Sequence, residues 1–262
     1  MRRHGLRPPL RALGLWPEHR AMAGGRDRAH RSGGCGDCAT VQGRYAVVMI
    51  ISPGRNYIFV HIPKTGGTAL ALALEDRAMA DDILIGDTPK AQRRRKRLKG
   101  MQSRGRLWKH STLADADGAI PDGMLESALI VTLVRNPWDR LVSYYHWLQG
   151  QSFDHPAVHL ARSKDFAGFL RDPQTRHSLR HSPARRYVTD AAGQERPALF
   201  LRLEHFAGDA EPLFDHLGFR FDLPMANRSD RQADYRPYYD DETRAIVAET
   251  CAEDIDRFGY RF

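Results

Sequence analysis

Cysteine, long apolar runs and a charge excess in the body of the chain are all scarce here, and each shortage removes a class of protein. Three cysteines in 262 residues cannot build a disulfide framework. Two of them make "CGDC" at 35–38, in Gly/Arg-rich sequence with no second Cys/His pair at ligand spacing, so neither a zinc site nor a redox pair is read there. The third, Cys251, shares the apolar face of a predicted helix with Ile255 and Phe258 and reads as a small buried hydrophobe. The longest apolar run, "YAVVMII" at 45–51, falls far below the roughly 20 residues that cross a bilayer, so no membrane span is expected. Net charge is +8, yet residues 1–48 hold nine Arg and three acids, leaving 31 Lys+Arg against 29 Asp+Glu. The body is nearly neutral, which argues against a global basic field and a nucleic-acid partner.

Residues 1–48 are rich in Arg, Gly and Pro and show no sustained period, so they are expected to be a disordered extension. They lack the apolar stretch of a secretory signal, and a cytoplasmic location is expected. Organised sequence begins near Met49, which suggests an upstream-extended start; residues 49–262 are read as one domain. Within it, "YIFVHI" (57–62), "ALIVTLV" (128–134) and "ALFLRL" (198–203) have the composition of buried parallel strands. "TALALALEDRAMA", "PWDRLVSYYHWL" and "DDETRAIVAETCAEDIDRF" (240–258) carry helical spacing. The alternation implies an α/β fold, a central parallel sheet flanked by helices. Residues 90–109 are the most charged stretch, either a solvated basic face or a patch for an anionic partner.

What is present in concentrated form is a strand-to-helix loop, "VHIPKTGGT" at 60–68. Such a loop points backbone N–H groups at one spot where the helix dipole adds positive potential, and that favours a phosphate. Gly66 and Gly67 allow close backbone approach, Lys64 brings a charge, and Thr65 and Thr68 offer hydroxyls. The order of residues is not the G-x-x-x-x-G-K-[ST] of nucleoside triphosphatases, because Lys64 precedes the glycines. A second element is "LVRNPWDRLVSYYHW" at 133–147: Asn136 can cap, Pro137 fits the first helical position, and Ser143 lies about 9 Å further along the helix. Arg135 and Ser143 would bracket a second anion. The alternatives are an ion pair of Arg135 with Asp139 or Glu204, and a Ser143 hydroxyl bonded to its own helix.

These two motifs resemble those of sulfotransferases that use 3'-phosphoadenosine 5'-phosphosulfate (PAPS). "PKTGGT" is similar to their 5'-phosphosulfate loop and "RNPWDRLVSYY" to their 3'-phosphate element; the ending "YRPYYDDETRAIVAETCAEDIDRFGYRF" is similar to that of Golgi-type and bacterial carbohydrate sulfotransferases. The resemblance implies a single P-loop-like α/β domain. It also implies in-line transfer of a sulfuryl group to an acceptor hydroxyl, on a carbohydrate or glycoconjugate, with an anionic glycan among the candidates. PAPS is then the co-substrate, bound by Lys64, Thr65, Gly66, Gly67, Thr68, Arg135 and Ser143, and no metal is required. Lys64 would stabilise the leaving oxygen. His110 in "WKHSTL" is the candidate general base, chosen for an imidazole pKa near neutrality, with a surface or capping role as its alternative and His61 or Glu75 next in line. Asn227, Ser229 and Arg231 are candidate contacts in a loop that closes over the nucleotide. The competing reading is an ATP-dependent kinase on a related sheet, which would need a magnesium-binding acid such as Glu204.

Overall fold

The computed structural model of the chain describes residues 48–223 and 232–262. The CGDC at 35–38 and the candidate contacts Asn227, Ser229 and Arg231 therefore lie outside the described residues. Five strands, β1 (Val48–Ser52), β2 (Tyr57–Phe59), β3 (Ile83–Gly86), β4 (Leu129–Val134) and β5 (Ala198–Arg202), form one sheet in the order β3-β1-β2-β4-β5. β2 pairs β4 and β4 pairs β5 in parallel, with Ile58 opposite Ile130 and Thr132 opposite Phe200. β1 is antiparallel to both β2 and β3, so β3 shares the direction of β2 and only β1 is reversed.

The three strands expected to be parallel are β2, β4 and β5. The central parallel sheet is present, and β1, "VMIIS", adds one reversed strand to it. Its return to β2 is a turn at 53–56 in which Asn56 N donates to Pro53 O at 3.1 Å and Asn56 adopts φ 51°, as Pro-Gly and Asn favour. β3 is too short and too closely flanked by Asp81, Asp82 and Asp87 to stand out from the sequence.

The strands are unbroken apolar runs because both sheet faces are covered. Side chains alternate across the pleat: Val48, Ile50, Tyr57 and Phe59 enter one core, while Met49, Ile51, Ile58 and Val60 enter the other. Helices α1 (Gly67–Asp76), α2 (Pro89–Arg94), α3 (Leu113–Ala116), α4 (Met124–Ser127), α5 (Pro137–Gln149), α6 (Pro156–Ser163) and α7 (Phe166–Arg171) precede β5 together with α8 (Pro173–Arg180) and α9 (Ala184–Tyr187). After it come α10 (Phe206–Asp209), α11 (Glu211–Leu217), α12 (Asp241–Thr250) and α13 (Ala252–Phe258). A third cluster, with Trp138, Tyr145, Phe166, Phe169 and Val247, joins α5, α6, α7 and α12.

The single helix expected over 240–258 is two. The chain leaves helical geometry at Cys251 (φ −113°), and Asp254, early in α13, accepts the amide of Ala184 at the start of α9. Cys251 packs on the third cluster, and burial pushes its thiol up to about 12, which makes it inert as a nucleophile. No helix among the described residues is long and apolar enough to cross a membrane.

Candidate active site

The C-terminal ends of β2, β4 and β5 lie along one edge of the sheet, where α/β folds bind ligands. After β2, Val60 N still donates to Val131 O at 3.0 Å, and the chain then turns through 61–66 into α1. Lys64 has φ 64° and Gly66 φ 86°. A lysine in the left-handed region is uncommon and costs free energy, and such positions concentrate in ligand loops. The glycines also answer to packing: a Cβ on Gly66 would lie 2.7 Å from Leu203 Cδ1, and one on Gly67 would lie 2.2 Å from His61 Cδ2. Gly67→Ala is therefore expected to lower stability by about 1–3 kcal/mol, the usual cost of overpacking, read as a fall in Tm; an unchanged Tm would mean that His61 yields without cost.

Two arginines of the second element hold this loop. Arg140 Nε donates to Pro63 O at 3.1 Å and Arg135 Nη1 to Lys64 O at 3.3 Å. In a planar trans peptide the N–H lies opposite the C=O, so anchoring these two carbonyls turns the amides of Lys64 and Thr65 away from α5. The Thr65 hydroxyl donates to Ile62 O at 2.8 Å and is buried, so its proton is already committed within the loop. Thr68 is half-buried in the first turn of α1. The Lys64 ammonium sits 5.7 Å from the centroid of the Trp147 ring, a cation–π distance.

Of the two carboxylates considered for Arg135, the partner is Asp139, at 2.7 Å from Nε and 2.6 Å from Nη2. Glu204 instead accepts the amide of Asn136 at 2.7 Å and the Tyr260 hydroxyl at 3.4 Å. Asn136 caps α5 through Trp138 N and donates its Nδ2 to Arg261 O, so the C-terminus braces the end of β4. Ser143 is buried on α5, four residues beyond Asp139, and its hydroxyl bonds no protein atom among the described residues; the backbone-bonded alternative does not occur. Thr65, Arg135 and Arg140 meet at a shallow crevice at this junction.

His110 comes to the same edge. Its Nδ1 lies 3.0 Å from the carbonyl of His61, which can only accept, so Nδ1 carries the proton and Nε2 the lone pair. The ring stacks obliquely on His61 at 4.7 Å and edge-on to Trp108 at 5.1 Å. Thr112 and Asp115 form a capping box for α3 just beyond it. The expectation of a near-neutral imidazole needs correction: burial, then Lys109, Arg140 and Lys64, hold His110 down at about 3, against the opposing bond to His61 O. His61 is buried and also held well below its ordinary value, first by burial and then by His110. Its Nδ1 has no hydrogen-bond partner among the described residues. His146 Nε2 meets the Tyr238 hydroxyl at 3.2 Å, a packing role. Glu75 sits at the far end of α1 against the Thr88 hydroxyl and is not brought to the site.

Arg140 is a site residue that sequence reasoning missed. One signal was available: a cation in the first turn or so of a helix opposes the dipole and calls for a partner. The basic stretch 90–109 divides by face. Lys90, Arg94 and Arg97 bond carbonyls of Glu75, Met79 and Ala80, Arg97 while exposed, and Arg93, Arg95, Lys96 and Lys99 are exposed as well. No cluster of three or more His, Cys, Asp or Glu that could hold a metal ion occurs among the described residues.

No family model and no curated protein matches the chain. Among solved structures it is similar to mouse sulfotransferase SULT7A1 complexed with PAP, at 19% identity and a TM-score of 0.32, over 78% of this chain and 67% of that one. A likeness of that size assigns nothing to this chain.

Proposed function

We propose that the protein is a PAPS-dependent O-sulfotransferase acting on an acceptor with a free hydroxyl. The observation that carries this reading is the bond from Arg135 to the Lys64 carbonyl, which couples the two anion-binding elements at one sheet edge. A nucleotide with phosphates at both ends suits such a pair. The donor set fits it: loop amides and the α1 N-terminus for the 5' end, Arg135 and the Ser143 hydroxyl for the 3'-phosphate. The kinase reading is weakened by Glu204, whose two oxygens already accept from Asn136 and Tyr260.

When bound, PAPS supplies the sulfuryl group and departs as adenosine 3',5'-bisphosphate. Lys64 moves from the Trp147 face to the leaving oxygen, where a preorganised donor contributes about 2.7–4 kcal/mol. Arg135 exchanges part of its contact with Asp139 for a phosphate oxygen. His110 Nε2 takes the acceptor's hydroxyl proton, its Nδ1–H held by His61 O.

A base held near 3 is weak; burial, the first cause, remains when nucleotide binds, and the part due to the neighbouring cations is what a nucleotide can offset. Lys64, Lys109 and Arg140 disfavour the imidazolium, and phosphate charges beside them offset that field. Adenosine 3',5'-bisphosphate should therefore raise the His110 titration midpoint above about 3, read by NMR of ring-labelled histidine with a His110→Gln control for assignment. A midpoint that stays put under saturating nucleotide would remove His110 from the neighbourhood of the phosphates.

A further inference from the structure

Between Asp87 and Asp115 the chain has no acidic residue. Residues 88–114 hold ten Lys and Arg, which leaves 21 Lys and Arg against 29 acids in the rest of 49–262. The near-neutral body is therefore a basic strip set on an acidic remainder. Arg93, Arg95, Lys96 and Lys99 form the outward part of the strip, at the end of α2 and along the 3-10 turn Arg95–Leu98 that follows it. All four are exposed, and their side chains have no ion-pair or hydrogen-bond partner among the described residues. Arginines on α7 to α9 are matched instead: Arg171 with Glu242 at 2.7 Å, Arg176 and Arg180 with Glu249 at 3.0 and 2.6 Å, and Arg185 with Glu253 at 2.6 Å.

The strip is fastened by its own other members. Lys90, Arg94 and Arg97 bond the carbonyls of Glu75, Met79 and Ala80; these partners are uncharged, so the three cations add to the local field. The exposed acids of the adjoining turn, Asp76 and Asp81, form no ion pair with the strip. Arg93 and Lys99 are six residues apart, roughly 9–12 Å at about 1.5–2.0 Å per residue. That is close to the Debye length of about 8 Å at physiological salt, so the four act together while more distant acids are screened from them. Like charges at helical spacing destabilise one another, a cost that an anionic partner removes.

We propose that this strip is a docking surface for a linear sulfated glycan, separate from the transfer site and independent of the sulfuryl-transfer reading. Arg94 also reaches Asp82 O at 3.4 Å, so the strip lies by the N-terminal end of β3. His110 and the phosphate loop stand at the C-terminal end of β2, which runs the same way as β3. A sulfate presents oxygens in the arrangement that an arginine fork takes two at a time from a phosphate. Single-stranded nucleic acid needs aromatic platforms, and the lone aromatic of 90–109, Trp108, is set edge-on to His110. Docking on a bilayer needs an apolar face to bury. Beside the strip, among the described residues, Met79 alone is a large apolar residue with substantial exposure, at 38%.

The test measures the Kd of a fluorescent heparin hexasaccharide for the full chain by anisotropy, at about 0.15 M salt. Combining Arg93→Ser, Arg95→Ser, Lys96→Ser and Lys99→Ser should weaken binding about 10-fold or more, as the loss of four exposed charge contacts requires. Tm should hold or rise, since the four repel one another. Two controls remove the same number of charges elsewhere: Arg171, Arg176, Arg180 and Arg185 to Ser, and Arg2, Arg3, Arg7 and Arg11 to Ser. Each should change the Kd by less than about 3-fold, because position and not net charge decides. Oligothymidylate, polyglutamate and phosphatidylserine vesicles serve as competing polyanions and should bind the wild type more weakly than heparin. No binding of heparin by the wild type, an equal loss in either control, or equal binding of any competing polyanion would each overturn the proposal. Failure to bind adenosine 3',5'-bisphosphate, measured separately, would strike the sulfuryl-transfer reading and leave the docking surface standing.

Discussion

Replacing His110 by alanine is expected to lower sulfuryl transfer by about 10²–10⁴ while leaving the affinity for adenosine 3',5'-bisphosphate almost unchanged, because a general base acts on the acceptor. The geometry sharpens this expectation. With Nδ1 donating to His61 O, only Nε2 can take the proton, so His110→Gln keeps a polar group in place without restoring a base of the right kind. The ring is neutral throughout the physiological range because its pKa is held at about 3. No acid limb at 6–7 is therefore expected from His110 in kcat/KM, which reports the free enzyme. The same depression has a stability consequence. A group whose folded pKa lies below its unfolded value near 6.5 stabilises the fold above that value and loses the contribution as pH falls toward about 3. Retention of more than about a tenth of wild-type turnover by His110→Ala would reject it as the base, given the range expected for that role.

Arg135→Ala should act on the opposite quantity, weakening adenosine 3',5'-bisphosphate roughly 10- to 150-fold, as loss of a charged hydrogen bond worth about 1.5–3 kcal/mol requires. Two further effects follow from its place in the structure. Asp139 loses a partner 2.6 Å away, leaving a carboxylate beside the phosphate site, and the Lys64 carbonyl loses its anchor, which frees the loop to turn. Arg135→Lys should recover only part of the loss, since an ammonium cannot bridge Asp139, a carbonyl and a phosphate as a planar fork does. Isothermal titration of both variants separates these terms. Normal binding by Arg135→Ala would remove it from the 3'-phosphate site.

Much of this arrangement is legible in the sequence where one short segment contains all the determinants. The end of β4 and the start of α5 are an example: the apolar run stops at Arg135, Asn136 caps and Pro137 occupies the first helical position. The β2–α1 loop is another, since its glycines and lysine announce close backbone approach. What is hidden depends on distant partners. Nothing near Glu204 says that its carboxylate will take the amide of Asn136, 68 residues away. Nothing near Arg261 says that its carbonyl will take the Asn136 side chain. The reversal of β1 is hidden because an apolar run buried on both faces reads alike in either direction. The depressed His110 pKa is hidden because burial and three cations from separate segments create it. The break at Cys251 is a tertiary override of good helical spacing, tied to the bond between Asp254 and α9.

A two-phosphate nucleotide pocket is the claim on which the rest depends, and thermal shift tests it most directly by comparing adenosine 3',5'-bisphosphate with AMP and with ATP plus magnesium. At a hundred times its Kd, the bisphosphate should add about 2.7 kcal/mol, or roughly 5–11 °C in Tm for a domain of this size. AMP at the same concentration lacks the group that Arg135 and Ser143 would hold and should shift Tm by less than half as much. Equal shifts from AMP and the bisphosphate, or a larger shift from ATP plus magnesium, would contradict the account.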